Sequence, residues 1–255
     1  MQAILDPIAC TVFLLFSHAV LCVLFSNQGY VPGKSPFINV GLRRASAVKQ
    51  QSYTAAGTKT KGRIKVLTHK GTVEIKTERL LLRRFTLDEA QPMFDRWAND
   101  ERVSRYLTWD PHGAVEITKM LVEAWCSAYE KPDNYNWAIE LDGEVIGSIS
   151  VVRTDERSER MDLGYCMGTA WWGKGIMTEA AGAVIDFLFA EVGCNRVEID
   201  HLLANPASGR VAQKCGLTKE GVRREYFNKN GVFHDEVIYG IVRKEWLAAG
   251  KGLST

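Results

Sequence analysis

A glycine-bearing turn joins a strand-like run to a helical run between residues 161 and 189, and that junction constrains what can lie in front of it. Met161-Asp162-Leu163-Gly164-Tyr165-Cys166-Met167 reads as a strand. Trp171-Trp172-Gly173-Lys174-Gly175-Ile176-Met177-Thr178-Glu179-Ala180 follows, and Ala180, Val184, Ile185, Leu188 and Phe189 then fall on one helix face. A turn of this kind points the unpaired N–H groups of the first helical turn, at the positive end of the helix dipole, towards any anion in front of them. Gly173 and Gly175 lack a Cβ, so a phosphate can approach the main chain closely. The stretch reads as a phosphate cradle.

Gly168 to Gly175 is one residue short of the nucleotide loop G-x-x-x-x-G-K-[ST]. Gly175 stands where a hydroxyl would hold Mg²⁺, and Trp171 and Trp172 crowd the loop, which weighs against nucleotide hydrolysis. A strand-to-helix turn with no ligand would carry the same residues. The segment downstream separates these readings. A strand-like run, Asn195 to Asp200, leads to Asn205-Pro206-Ala207-Ser208, which opens a short helix. Asn205 suits the N-cap, Pro206 the first helical position and Gly216 the glycine beyond the C-terminus.

Taken together, the two segments resemble the acyl-CoA-dependent GNAT N-acetyltransferases. Trp172 to Met177 follows that family's pyrophosphate loop, Q/R-x-x-G-x-G/A, at Gly175, and departs from it at both ends with Trp172 and Met177. N-P-A-S-G-R-V-A-Q-K-C-G-L is similar to the family's second CoA segment, N-x-x-S-x-x-(V/A)-x-x-K-x-G-(F/L). W-G-K-G followed by T-E-A resembles the Rim-type branch, related to the ribosomal-protein N-terminal acetyltransferases. The resemblance runs from Leu67 to Trp246. It implies an α/β (mixed α+β) fold: a central twisted, mostly antiparallel sheet with a splayed parallel strand pair and flanking helices.

Local patterns agree with such a domain over residues 67–255. Thr77 to Phe85 reads as the first strand, and Thr86 with Glu89 forms a T-x-x-E capping box for a helix bearing Ala90, Met93, Phe94 and Trp97. Pro92 is expected to bend that helix. A second helix, Ala114 to Tyr129, places Val115, Met120, Leu121 and Trp125 near one face. Asp142-Gly143 between Trp137–Leu141 and Val145–Val152 signals a tight hairpin. Arg153 to Arg160 reads as a solvated loop, and Glu220–Tyr226 and Glu236–Val242 as closing strands joined by a turn at Asn230-Gly231.

The first 66 residues stand apart from this pattern. They carry a net charge of +7 against −5 for the remainder, an asymmetry hidden in the total of +2. Residues 8–25 form an uncharged, mostly apolar run at the short end for a membrane span. Leu67-Thr68-His69-Lys70-Gly71-Thr72 resembles the start of bacterial family members, so one reading is an over-extended reading frame. The others are an inner-membrane signal anchor, which would keep the catalytic domain in the cytoplasm, and a signal peptide lacking a basic n-region. A membrane enters only if the run is a genuine anchor; the cytoplasm is otherwise expected. The basic arm 34–65 has the composition of a disordered segment, and its sparse aromatics give no reason to expect nucleic-acid binding. Six cysteines without C-x-x-C spacing and five scattered histidines argue against a disulfide framework or a metal site.

Acetyl transfer from a thioester needs a neutral amine, a stabilised oxyanion and a protonated leaving thiolate. The resemblance implies acetyl-CoA as cosubstrate and no metal. It places the backbone of Tyr165, Cys166 and Met167 along the pantetheine arm, where a main-chain N–H polarises the carbonyl. Amides of Trp172, Gly173, Lys174, Gly175, Ile176, Met177 and Thr178 would hold the pyrophosphate, with Lys174 adding charge or simply solvated. Asn205 and Ser208 belong to the second CoA segment. Ser208 occupies the place of the hydroxyl that protonates the thiolate, although a serine suits a first helical turn on its own account. For the general base, Glu140 ranks ahead of Glu225 and His234-Asp235. Tyr106, Trp109 and Trp125 either wall the acceptor site or belong to the core. The expected activity is acetylation of a primary amine, a protein α-amino group or a small amine, by a monomer or homodimer. The competing reading is a catalytically silent CoA-binding regulatory module.

Overall fold

A computed structural model describes residues 67–251; the apolar run 8–25 and the basic arm 34–65 lie outside the described residues. Eight strands form one sheet: β1 Ile75–Lys76, β2 Leu80–Arg83, β3 Asn136–Leu141, β4 Glu144–Asp155, β5 Arg160–Met167, β6 Arg196–Leu202, β7 Thr218–Lys229 and β8 Val232–Val242. Their spatial order is β1-β2-β3-β4-β5-β6-β8-β7. Every neighbouring pair is antiparallel except β5 and β6, which run parallel. The helices are α1 Ala90–Met93, α2 Glu101–Ser104, α3 Val115–Ala128, α4 Ile176–Phe187, α5 Pro206–Lys214 and α6 Arg243–Ala248. None among the described residues is long and apolar enough to cross a membrane.

Side chains alternate across each strand, so the sheet carries two cores. Leu82, Trp137, Ile139, Ile149 and Val197 share one core with Ala180, Val184 and Ile185 of α4 and Leu188 and Phe189 just beyond it. This is the helix face that the periodicity predicts. Ala138 and Val145 share the other core with Met93, Trp97 and Val122. Helix α3 turns inward a face that keeps Leu121 and Trp125 of the expected set but not Met120. Thr118 and Val122 are buried and Leu121 and Trp125 half-buried, whereas Met120 is exposed. The sequence pattern weighted hydrophobicity alone, and a threonine whose hydroxyl meets His112 Nδ1 at 2.7 Å is as easily buried as a methionine.

Turn chemistry sets the hairpins. Asp142 and Gly143 have φ of 52° and 79°, and Asn230 and Gly231 have 51° and 84°, the left-handed conformations of a tight β-hairpin. At the end of α5, Gly216 N–H donates to Gln213 O and Leu217 N–H to Ala212 O, both at 3.0 Å. Gly216, at φ 90°, makes that reversal without a Cβ clash. Thr86 N–H donates to the Glu89 carboxylate at 2.8 Å, the expected half of a capping box. Around Pro92 the helix is not uniform: a 3₁₀ turn precedes α1 and a π turn follows it. Arg153 to Arg160 is not a free loop. β4 continues through Asp155 and β5 starts at Arg160, because Arg153 and Arg160 are drawn to the buried Asp162.

Asp162 and Glu198 form the last register pair between β5 and β6. Arg153 Nε lies 3.0 Å and Arg160 Nε 3.4 Å from the Asp162 carboxylate. Burial raises the Asp162 pKa to about 6; Arg153 and Arg160 pull it down, while Glu198 and Asp200 push it further up. The folded-state value thus exceeds that of an unfolded aspartate, so the contribution is complete below pH about 4 and is lost as pH rises through about 6. Asp162→Asn, fixed in the neutral form, is expected to gain stability relative to the parent between pH about 4 and 7, by up to about 3 kcal/mol. Urea unfolding midpoints of the two proteins across that range check this; a constant difference refutes it.

Candidate functional site

Only three register pairs hold β5 to β6: Arg160 with Arg196, Met161 with Val197 and Asp162 with Glu198. Beyond them β5 continues to Met167 paired only with β4, and β6 continues to Leu202 paired only with β8. The two parallel strands therefore part towards their C-terminal ends. The main chain of Tyr165, Cys166 and Met167 borders the resulting gap on one side.

The cradle stands beside that gap. Gly173 and Gly175 have φ of 75° and 77°, and Gly175 occupies the N-cap position of α4. The first hydrogen bond there runs from Glu179 N–H to Gly175 O at 3.1 Å. The N–H groups of Ile176, Met177 and Thr178 precede it and have no helical partner. A Cβ on Gly173 would meet nothing within 4 Å, which leaves the approach to the loop open. The Lys174 side chain is solvent-exposed.

Two side chains shape the loop in ways the sequence did not disclose. Trp172, at the position where the family loop has Gln or Arg, donates its indole N–H to the Met167 carbonyl at 2.8 Å. This latches the loop onto the end of β5. Arg79, just before β2, donates to the Lys174 carbonyl at 3.2 Å and to the Glu179 carboxylate at 2.7 Å. Glu179 also accepts from the Thr77 hydroxyl at 2.6 Å and the Arg79 N–H at 2.9 Å. Burial alone would raise the Glu179 pKa, but these donors outweigh it and hold the carboxylate below its usual range. The guanidinium, partly exposed, is paired with the Glu179 carboxylate at 2.6 Å beside the cradle. Thr77-Glu78-Arg79 reads from sequence only as the start of a strand, and its partner lies a hundred residues away.

Across the gap, the Tyr165 hydroxyl meets Ser208 Oγ at 2.8 Å, joining β5 to the first turn of α5. Burial pushes the tyrosine pKa up, with the Ser208 hydrogen bond opposing it, so the phenol stays protonated. Sequence reasoning used Tyr165 only for its backbone; a hydroxyl so placed adds a second proton donor beside Ser208. Asn205 precedes α5 as expected, but its side chain makes no cap hydrogen bond. Cys166 faces the second core, with Sγ 3.3 Å from Ser148 Oγ, and burial raises its pKa to about 11 despite that contact. A thiol so protonated is no nucleophile at neutral pH.

Glu140 is not at this gap. β4 separates its strand from β5, and its carboxylate accepts from Arg83 Nε of β2 at 2.6 Å, on the side away from the gap. Arg83 donates also to Glu89 at 2.5 Å, so one guanidinium ties β3, β2 and the start of α1 together. Glu225 lies at an irregularity of β7 with φ 50°, its N–H on the Asp235 carboxylate at 2.9 Å. Trp125 packs on Phe85 with ring centroids 5.0 Å apart, and Trp109 is half-buried against the same core, so both take the structural role. Tyr106 lies against Arg105. Among the described residues, no group of three His, Cys, Asp or Glu could hold a metal ion.

This arrangement has counterparts among known proteins. Residues 79–218 match the model of the acetyltransferase (GNAT) domain family. An uncharacterized N-acetyltransferase of Bacillus subtilis, YoaA, is 30% identical over 171 residues, covering 66% of this chain and 96% of that protein. The ribosomal protein uS5-alanine N-acetyltransferase of Escherichia coli is 31% identical over 84 residues, 33% of this chain and 43% of that protein. The solved structure of RimL, a ribosomal L7/L12 α-N-protein acetyltransferase in complex with coenzyme A, shares the fold. Its TM-score is 0.61 at 21% identity, covering 67% of this chain and 98% of that one. With its family match, parted parallel strands and glycine cradle, the chain belongs to the GNAT acetyltransferase family.

Proposed function

We propose that this protein transfers an acetyl group from acetyl-CoA to a primary amine, with a protein α-amino group as the favoured acceptor. The observation that carries the reading is the alignment of the α4 cradle, the β5–β6 gap and the Tyr165–Ser208 hydroxyl pair. The relatives that act on ribosomal proteins support the choice of acceptor. The amides of residues 173–178 bind the pyrophosphate in the loop that Arg79 holds, and the pantetheine arm lies along Tyr165, Cys166 and Met167. Asn205, before α5, offers its unused side-chain amide to the same cosubstrate.

The amine attacks the thioester carbonyl, and a β5 main-chain N–H stabilises the oxyanion before the carbon–sulfur bond breaks. Ser208 then gives its proton to the leaving thiolate and is resupplied by the Tyr165 hydroxyl, the next donor 2.8 Å away; the proton lost by the attacking nitrogen passes through water to the phenolate, so that one proton moves overall from amine to thiol. The direct test is thiol release from acetyl-CoA with a panel of amines and peptides, followed by mass spectrometry of the products. Tight CoA binding without release for any acceptor would favour a silent CoA-binding module.

Gly175→Val forces a β-branched residue into a left-handed conformation at the head of α4. Titration is expected to show acetyl-CoA binding weakened at least about tenfold, in line with a displaced cradle. Ser208→Ala should lower kcat by about a hundredfold with little change in acetyl-CoA affinity, as loss of a general acid does. Glu140→Gln, by contrast, should lower the melting temperature and leave the shape of the pH–rate profile unaltered. Loss of the rising low-pH limb of that profile would restore Glu140 as the base.

A further inference from the structure

Lys229, the last residue of β7, is bound in a way that its position at a hairpin end does not require. Its ammonium donates to three main-chain carbonyls, those of Ser104 at 2.9 Å, Leu107 at 2.8 Å and Trp109 at 2.9 Å. The Asp110 carboxylate lies 3.4 Å away, and the Lys229 side chain is only 16% exposed. Asn230 adds a contact from its side-chain amide to Asp110 at 3.3 Å. The carbonyls belong to the strap 99–112, which leaves and rejoins the fold at a closed neck. There His112 N–H donates to Ala98 O at 3.0 Å and Gly113 N–H to the Asn99 side chain at 2.9 Å.

The anchors of the strap fix its course. Near the neck, Asp100 accepts from the Thr169 hydroxyl at 3.4 Å, and Thr169 is two residues past the end of β5. Lys229 holds the far part of the strap at the β7–β8 hairpin. β8 pairs with β6 as far as Glu236 opposite Leu202, and the hairpin runs on beyond the end of β6 to its turn at Asn230 and Gly231. A segment fixed at the end of β5 and again at that turn must pass the open end of the β5–β6 gap. Leu107 and Trp109 pack against the second core, on the face opposite the core beneath α4. The donor cradle and the strap thus flank the gap from opposite faces.

We propose that Lys229 is a positioning residue for the acceptor: by tying the β7–β8 hairpin to strap 99–112, it closes an arch that sets the amine's entrance to the gap. The proposal rests on the acetyl-transfer reading above. A lysine among three carbonyls can hold two chain segments at a set separation, because its three N–H donors have three acceptors. A residue that only stabilised the fold would affect both substrates alike when removed; one that sets the arch affects the acceptor alone.

The test compares the full chain with Lys229→Met and Lys229→Arg, using the best amine found by thiol release. In Lys229→Met the KM for the amine is expected to rise at least about tenfold, while the KM for acetyl-CoA and kcat at saturating amine stay within about threefold. Lys229→Arg, which keeps charge and donors, should recover most of the loss. Amide hydrogen exchange at residues 104–110 should quicken in Lys229→Met, with exchange in α4 unchanged. An unaltered amine KM, unaltered exchange in the strap, or equal losses for both substrates overturns the latch. Absence of transfer by the parent protein to every amine defeats the acetyl-transfer reading, and the acceptor role with it. The exchange data then show separately whether Lys229 holds the strap.

Discussion

The parting of β5 from β6 is the feature on which the rest of the structure depends. Two adjacent parallel strands would ordinarily satisfy each other's main-chain groups along their whole length, and leaving such groups unpaired away from water is costly. Here the ladder ends after three pairs, at the buried carboxylates Asp162 and Glu198. β4 on one side and β8 on the other keep both strands extended past that point, so neither frays. A main-chain edge is left facing the gap. A pantetheine arm, with amides of its own, is a chemically apt occupant of such an edge.

Around the gap, each structural device holds a separate part. α4 is seated by an apolar face that is almost wholly buried, which fixes where its unpaired N–H groups point. Trp172 fastens the loop to β5, and Arg79, paired with Glu179, fastens it to the segment leading into β2. The Tyr165–Ser208 pair spans from β5 to α5. Lys229 spans from the last hairpin to the strap. The hydrogen bonds among these are polar contacts at the edge of the core, the class whose loss is felt as misplacement more than as global unfolding.

Much of the framework was legible in the residues. Asp142-Gly143 and Asn230-Gly231 dictate tight hairpins because only such residues adopt the left-handed turn easily. The stripe Ala180–Val184–Ile185–Leu188–Phe189 had to face a core. Other features were hidden for physical reasons. Met120 is exposed and Thr118 buried because packing and a hydrogen bond outweigh hydrophobicity rank. Arg153 to Arg160 resembles a solvated loop until Asp162 is seen to be buried beneath its arginines. Glu140, a plausible base in one dimension, turns out to be a tie between strands.

The sequence by itself determined the glycine turn before α4 and the opening of α5. Glycine positions, helix periodicity and the N-P-A-S segment are local properties, set by backbone sterics and by which groups a helix terminus leaves unpaired. Tertiary structure decided what surrounds the gap. Whether Glu140 reaches the gap, which hydroxyl stands beside Ser208 and what Lys229 grips all depend on contacts between residues that are distant along the chain. Local spacing carries no information about such pairs, because their geometry exists only once the sheet has assembled.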